Sequence, residues 1–279
     1  MSEVESQEEV RNPTVSSLRI QLESLGLSSK GQLKQLKKRL RDVKKRTEED
    51  EANREQLEGL RSESRDLEDA LESLMLKEGK YKRQPFDYYC VFDVEATCRE
   101  DNAGWKHEII EFPVVLIDAK TFSVVGEFRS FVRPVINPTL TEFCTQLTGI
   151  TQEQVDIAPK FSQVLKDFES FLSRHQIKHS RFSFITDGPW DIRDFVRNQC
   201  AYANIRAPQY FNSYIDLRRI FTRFYGRKDG KRANLTGMLS LLGMTFEGRE
   251  HSGIDDTRNI ARIVLRLMEE GVVFDSTAT

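Results

Sequence analysis

Nowhere in the 279 residues is there an apolar run long enough to cross a bilayer, and the N-terminus lacks the charged-then-apolar start of a secretory signal. Neither a membrane span nor a secreted protein is expected. Cysteine is scarce. Cys90, Cys98, Cys144 and Cys200 are scattered and form no C-x-x-C pair, which argues against a cysteine-rich zinc site and predicts free thiols in a reducing compartment, cytoplasmic, nuclear or both. Net charge is also nearly absent, at −2, but only in sum. Residues 13–46 hold 10 basic and 2 acidic side chains, whereas residues 47–79 hold 4 basic and 12 acidic. Such segregation marks modules with different partners.

What is present divides into three segments after a tail of residues 1–12. In 13–46, "TVSSLRIQLESLGL" offers Thr14 as an N-cap, Leu18, Leu22 and Leu25 on one helical face and Gly26 as a stop. "SSKGQLKQLKKRLRDVKKR" then starts a second helix whose Leu33, Leu36, Leu40 and Val43 are surrounded by lysine and arginine. Cations at the mouth of a helix pair favour phosphate contact, with Lys30, Lys34, Lys37 and Arg39 as the candidates. The bland alternative is a hairpin whose lysines are merely solvated. Segment 47–79 is acidic and proline-free, with Leu57, Leu60, Leu67, Leu71 and Leu74 at heptad-like spacing. About three heptads is short for a coiled-coil dimer, so a packed helical linker and a monomeric protein are expected. Residues 80–279 form the large domain, in which strand-like runs come first and then alternate with helices. That order predicts an α/β layer fold with a mixed sheet.

The chemistry starts at "CVFDVEATCRE", residues 90 to 100, where an apolar strand ends on Asp93 and Glu95. Alternation points both to one face. The same D-x-E spacing recurs at Asp66 and Glu68 in a polar helical stretch, where solvation explains it; only the strand context sets the first pair apart. Buried carboxylates side by side repel unless a cation lies between them, so the pair predicts a metal site. In "RFSFITDGPWDIRDFVRNQC" the partner could be Asp187 at the strand end, Asp191 opening a helix or Asp194, which fits an exposed face. "HSGIDDTRNIARIVLRL" is sharper. Asp256 shares its helical stripe with Ile260, Ile263, Val264 and Leu267, while Asp255 points away as a first-turn cap. His251 precedes this acid in a glycine-containing loop and can titrate near neutrality, which suits a general base. His107, His175 and His179 have no such neighbour and read as structural or exposed.

"FDVEAT", "TDGPWD" and "HSGIDD" together resemble the three motifs of the DEDDh branch of the RNase H-like 3′→5′ exonucleases. With the N-terminal helix pair, which resembles a SAP module, the chain from Pro13 to about Gly271 is similar to the histone-mRNA 3′-exonuclease and RNAi-limiting exoribonuclease family. The resemblance implies metal ligation by Asp93, Glu95, Asp191 and Asp256, a catalytic part for Glu95, and His251 as general base and substrate contact. It thereby selects Asp191 within "TDGPWD". It implies two Mg²⁺ ions, with Mn²⁺ able to substitute, in keeping with an all-carboxylate site. Val94, Ala96 and Thr97 flank the acids and Trp190 precedes Asp191, making them candidates to contact the terminal nucleotide; Leu147 in "QLTGI" resembles the family's wedge at the last base. Core packing explains Trp190 and Leu147 equally well. "GRKDGKR", residues 226–232, is a basic loop able to track phosphates or simply a solvated turn.

The expected function is therefore two-metal hydrolysis of structured RNA 3′ ends to nucleoside 5′-monophosphates. The expected partners are hairpins or duplexes with short 3′ tails, and ribonucleoproteins or the RNAi machinery, with a nucleolar location included. A DNA exonuclease of the same fold is the rival, since a metal site sees only phosphate and RNA preference needs 2′-hydroxyl contacts. An inactive nucleic-acid-binding adaptor would have lost an acid or the histidine, and all five are present.

Overall fold

A computed structural model describes residues 13–77, 81–177, 181–226 and 232–275. The tail 1–12, His179 and most of the "GRKDGKR" loop lie outside these residues, as do the side chains of Leu71 and Leu74. The chain divides into two compact units, Met1–Leu67 and Glu68–Thr279. No described helix is long and apolar enough to cross a membrane.

In the first unit, α1 (Val15–Ser24) begins where the Thr14 side chain accepts a hydrogen bond from the Ser17 N–H, and it ends before Gly26 at φ 70°. Thr14 thus satisfies one of the orphan donors of the first turn. Leu18 and Leu22 meet Leu36 and Leu40 of α2 (Leu33–Lys77) in a small core, with Leu27 packed at its edge. The second helix does not stop at residue 46. It continues as one 45-residue helix through the change of charge, because no glycine or proline interrupts residues 33–58. Leu57, Leu60 and Leu67 are exposed along it.

The second unit is built on a mixed sheet of β1 (Tyr88–Phe92), β2 (Glu95–Ala96), β3 (Ile109–Asp118), β4 (Ser123–Phe131), β5 (Phe182–Thr186) and β6 (Tyr214–Asp216). The long β3 carries β4 on one edge and β1 followed by β2 on the other, all antiparallel. Strands β5 and β6 then add in parallel to β1. Around the sheet lie α3 (Glu142–Thr148), α4 (Gln152–Asp156), α5 (Phe161–Arg174), α6 (Arg197–Tyr202), α7 (Leu217–Tyr225), α8 (Leu235–Leu241) and α9 (Gly253–Glu269).

All ten residues of β3 are buried, as both faces of the sheet are covered. Tyr89 and Val91 pack into one core cluster with Ile260, Ile263, Val264 and Leu267 of α9. Cys90 and Phe92 face the opposite cluster, with Phe168 and Leu172 of α5 and the rings of Phe112 and Phe184. This parity fixes the site. Asp93 continues the row of Tyr89 and Val91, so it emerges on the face covered by α9. All four cysteines are buried free thiols.

Candidate active site

Ligand oxygens of Asp93, Glu95 and Asp256 lie within 4.8 Å of one another. Asp93 comes from the end of β1 and Glu95 from β2, where a bulge between Glu95 and Ala96 shifts the register against β3. Asp256 is on the buried stripe of α9. Asp191 joins them from the other side: its Oδ1 accepts a hydrogen bond of 3.1 Å from the Val94 N–H, within the same Asp-x-Glu turn. Asp191 opens a π-helical turn, Asp191–Val196, which widens the entry to α6 where an ordinary helix was expected; such wide turns are frequent at functional sites.

The electrostatics are those of clustered, buried acids, with the Arg218 guanidinium opposing the rise at Asp191. Burial, reinforced by Asp191, Glu95, Asp256 and Asp187, raises the Asp93 carboxyl well above its usual range. Burial and then Asp256, Glu111 and Asp191 push Glu95 up to about 9. Burial lifts Asp191 to about 7 against the opposing hydrogen bond from Val94, and Asp256 to about 7 against that from the His251 backbone. Divalent cations would hold such a cluster in its ionised form, and an all-oxygen donor set suits a hard metal. A cavity of about 260 Å³ opens over the acids, lined among others by Asp93, Asp187, Arg218, Thr236, His251 and Asp256. His251 is exposed and has φ 64°, a left-handed backbone that non-glycine residues seldom adopt. The arrangement places a solvent-accessible imidazole beside an acidic, metal-compatible cleft.

Residues 90–264 match the exonuclease family RNase T. Human 3'-5' exoribonuclease 1 is 39% identical over 230 residues, covering 78% of this chain and 66% of its own length. The 3'-5' exonuclease eri1 of Schizosaccharomyces pombe is 35% identical over 285 residues, covering 94% of this chain and 89% of the relative. Among solved structures, the nuclease domain of 3'hExo, described as a DEDDh family member bound to rAMP, is 40% identical with a TM-score of 0.67, covering 70% of this chain and 98% of that one. The chain belongs to the RNase T exonuclease family.

Two residues outside the expected ligand set lie beside the acids and act on their charge. Glu111 on β3, fully buried, accepts from the Gly253 N–H at 3.1 Å and from Arg129 Nε at 2.7 Å. It occupies the N-terminus of α9, where Ser252 makes no side-chain capping bond. A Cβ on Gly253 would fall 3.0 Å from Glu111 Oε2 and 3.1 Å from the Asp93 carbonyl oxygen, so any larger residue there would press on both the glutamate and the end of β1. A lone glutamate within the otherwise apolar "IIEFPVVLI" was the available signal. The second is Asp187, which pairs with Arg218 through Nε (2.9 Å) and Nη2. Asp194 lies away from the acids and pairs with its neighbour Arg193.

The expected substrate contacts divide. Trp190 is 46% exposed, and Arg218 lies 5.3 Å over its ring, leaving surface for stacking. Leu147 is half-buried against the small cluster of Cys98, Ile110, Cys144, Ile150 and Val155. Val94 and Ala96 are buried, which confines any approach of theirs to the main chain. Thr97 is 2% exposed and its hydroxyl accepts from the Glu108 N–H, so it braces the strand end. Asp255 stands in the first turn of α9, where its Oδ2 accepts from the Arg249 N–H. His107 sits within 2.7 Å of the Thr97 carbonyl and His175 packs on Phe171. In the first unit Lys30 and Lys34 are exposed and Lys37 is half-buried. Arg39 is half-buried. Its Nη1 donates to the carbonyls of Ser28 and Lys30, so it latches the interhelical loop.

Proposed function

We propose that the protein is a divalent-metal-dependent 3′→5′ exoribonuclease acting on structured RNA 3′ ends. The convergence of Asp93, Glu95 and Asp256 within 4.8 Å carries this reading. The chain spans 66% of the length of the human relative, whose name is that of an exoribonuclease. A solved structure 41% identical, with a TM-score of 0.64, is described as recognising the 3′ end of a histone mRNA stem-loop. These names favour RNA over DNA, and a stem-loop with a short 3′ tail as the substrate.

Asp93, Glu95, Asp191 and Asp256 would hold two Mg²⁺ ions. Bound there, the ions supply the positive charge that acidifies water and offsets negative charge on phosphate and leaving oxygen. The chain's own groups do the rest. His251 takes the proton of the attacking water through its exposed imidazole. Trp190 offers its open ring to the terminal sugar or base, and Leu147 bounds the last base. Lys30 and Lys34 of the SAP-like helix pair contact phosphates, with Lys37 beside them. A 5′-labelled RNA hairpin with a short 3′ tail, and its DNA twin, test this reading with Mg²⁺, with EDTA and with Asp93→Ala. The expected result is a metal-dependent ladder from the RNA 3′ end that is lost in the variant. Faster trimming of the DNA twin, or no cleavage of either, overturns it.

A further inference from the structure

The loop that carries His251 is anchored to α9 on one side. Asn259, fully buried, donates from Nδ2 to the carbonyls of Glu247 and Asp255, both at 2.8 Å, and accepts at Oδ1 from the Glu247 N–H and Arg262 Nη1. Asp255 Oδ2 adds the bond from the Arg249 N–H at 3.1 Å. These bonds fix the two flanks of the histidine.

The loop is tied on its other side to α3. Arg249 Nη2 donates to the Gln146 carbonyl at 2.7 Å, one of the orphan acceptors in the last turn of that helix, where a cation is also favoured by the helix dipole. Gly149, at φ 72°, ends the helix, and a Cβ there would fall 2.5 Å from Arg249 Nη1. The guanidinium therefore lies against the C-terminal turn that includes Leu147. Arg249 is itself exposed, and exposed polar contacts add little to global stability. Its effect is on geometry.

We propose that Arg249 is a positioning residue that couples the general base to nucleotide docking: it ties the His251 loop to the helix whose Leu147 bounds the terminal base. The proposal rests on the exonuclease reading above. When the last nucleotide seats against α3, Arg249 transmits that position two residues along to the imidazole. Displacement of a reacting group by about 1 Å costs on the order of 100-fold in rate, so a single such tie has leverage.

The experiment compares single-turnover rates on the tailed RNA hairpin with Mg²⁺ for the full chain and for Arg249→Ala, Arg249→Lys, Leu147→Ala and the Arg249→Ala/Leu147→Ala double variant, with melting temperatures alongside. Arg249→Ala is expected to lower the rate at saturating RNA by about 10- to 100-fold, with KM and melting temperature unchanged. Arg249→Lys, which can still donate to the Gln146 carbonyl, restores most of it. The double variant is no slower than the worse single variant, because both act through one coupling. A wild-type rate in Arg249→Ala, additive losses in the double variant, or a fall in melting temperature that accounts for the lost rate each overturns the proposal. His251→Ala in the same series separates the two readings: full activity there removes the base itself, whereas its loss beside an unaffected Arg249→Ala removes only the coupling.

Discussion

The carboxylate of Asp191 and the backbone N–H of Val94, 97 positions apart in sequence, share a hydrogen bond of 3.1 Å. This bond ties the strand end bearing two acids to the turn bearing a third. Asp191→Asn keeps a side-chain oxygen for Val94 but removes a charge from the metal site. The expected outcome is a loss of at least 100-fold in kcat and weaker Mn²⁺ binding by calorimetry, with the melting temperature of the metal-free protein unchanged or raised.

The metal-free protein should become less stable as pH rises. Asp191 and Asp256 titrate at about 7 and Glu95 at about 9 when folded, against about 4 when unfolded. Between these values the folded chain keeps protons that the unfolded chain has released, so stability falls as pH rises from about 4 to about 9. Melting temperatures in EDTA at pH 5.5, 7 and 9 check this, and Mg²⁺ should raise the midpoint more at pH 9 than at pH 5.5. A melting temperature that rises with pH in EDTA contradicts it.

Glu111 is expected to matter beyond its ion pair. Glu111→Ala leaves the Gly253 N–H unsatisfied at the buried start of α9 and costs about 1–3 kcal/mol. Because that helix carries Asp256, metal affinity should fall too. Glu111→Gln retains an acceptor and should recover more of the stability than Glu111→Ala. Chemical denaturation together with Mn²⁺ titration separates the two effects.

Trp190 packs over Gly188 so tightly that a Cβ there collides with the indole ring. Trp190→Ala should raise KM on the order of 10-fold, as loss of one stacking contact does. Gly188→Ala, which displaces the ring without deleting it, should raise KM in the same direction. Equal KM values for both variants and wild type would exclude the stacking role.

Much of the site was legible because strand and helix periodicities encode direction. Tyr89, Val91 and Asp93 share a parity, and Asp256 shares a stripe with Ile260 and Leu267, so two acids could be aimed at a common face without knowing the fold. Asp187, Asp191 and Asp194 could not be separated by periodicity, since a π-helical turn follows neither period. Glu111 and Arg249 were missed for another reason. Their partners, Gly253 and Gln146, are 142 and 103 positions away, and only the folded chain brings them together. The change of charge after residue 46 does not end α2, because the backbone meets no breaker there.

The alternation along β1 also dictates where the chain can change length. Inserting or deleting a single residue among Cys90, Val91 and Phe92 would turn Asp93 toward the aromatic side of the sheet, beside Phe112 and Phe184, where no counter-ion could reach it. Two residues would restore the facing but lengthen the strand past its partners. Length variation among relatives should therefore be confined to the connections, and the span from Tyr89 to Glu95 should keep a constant count.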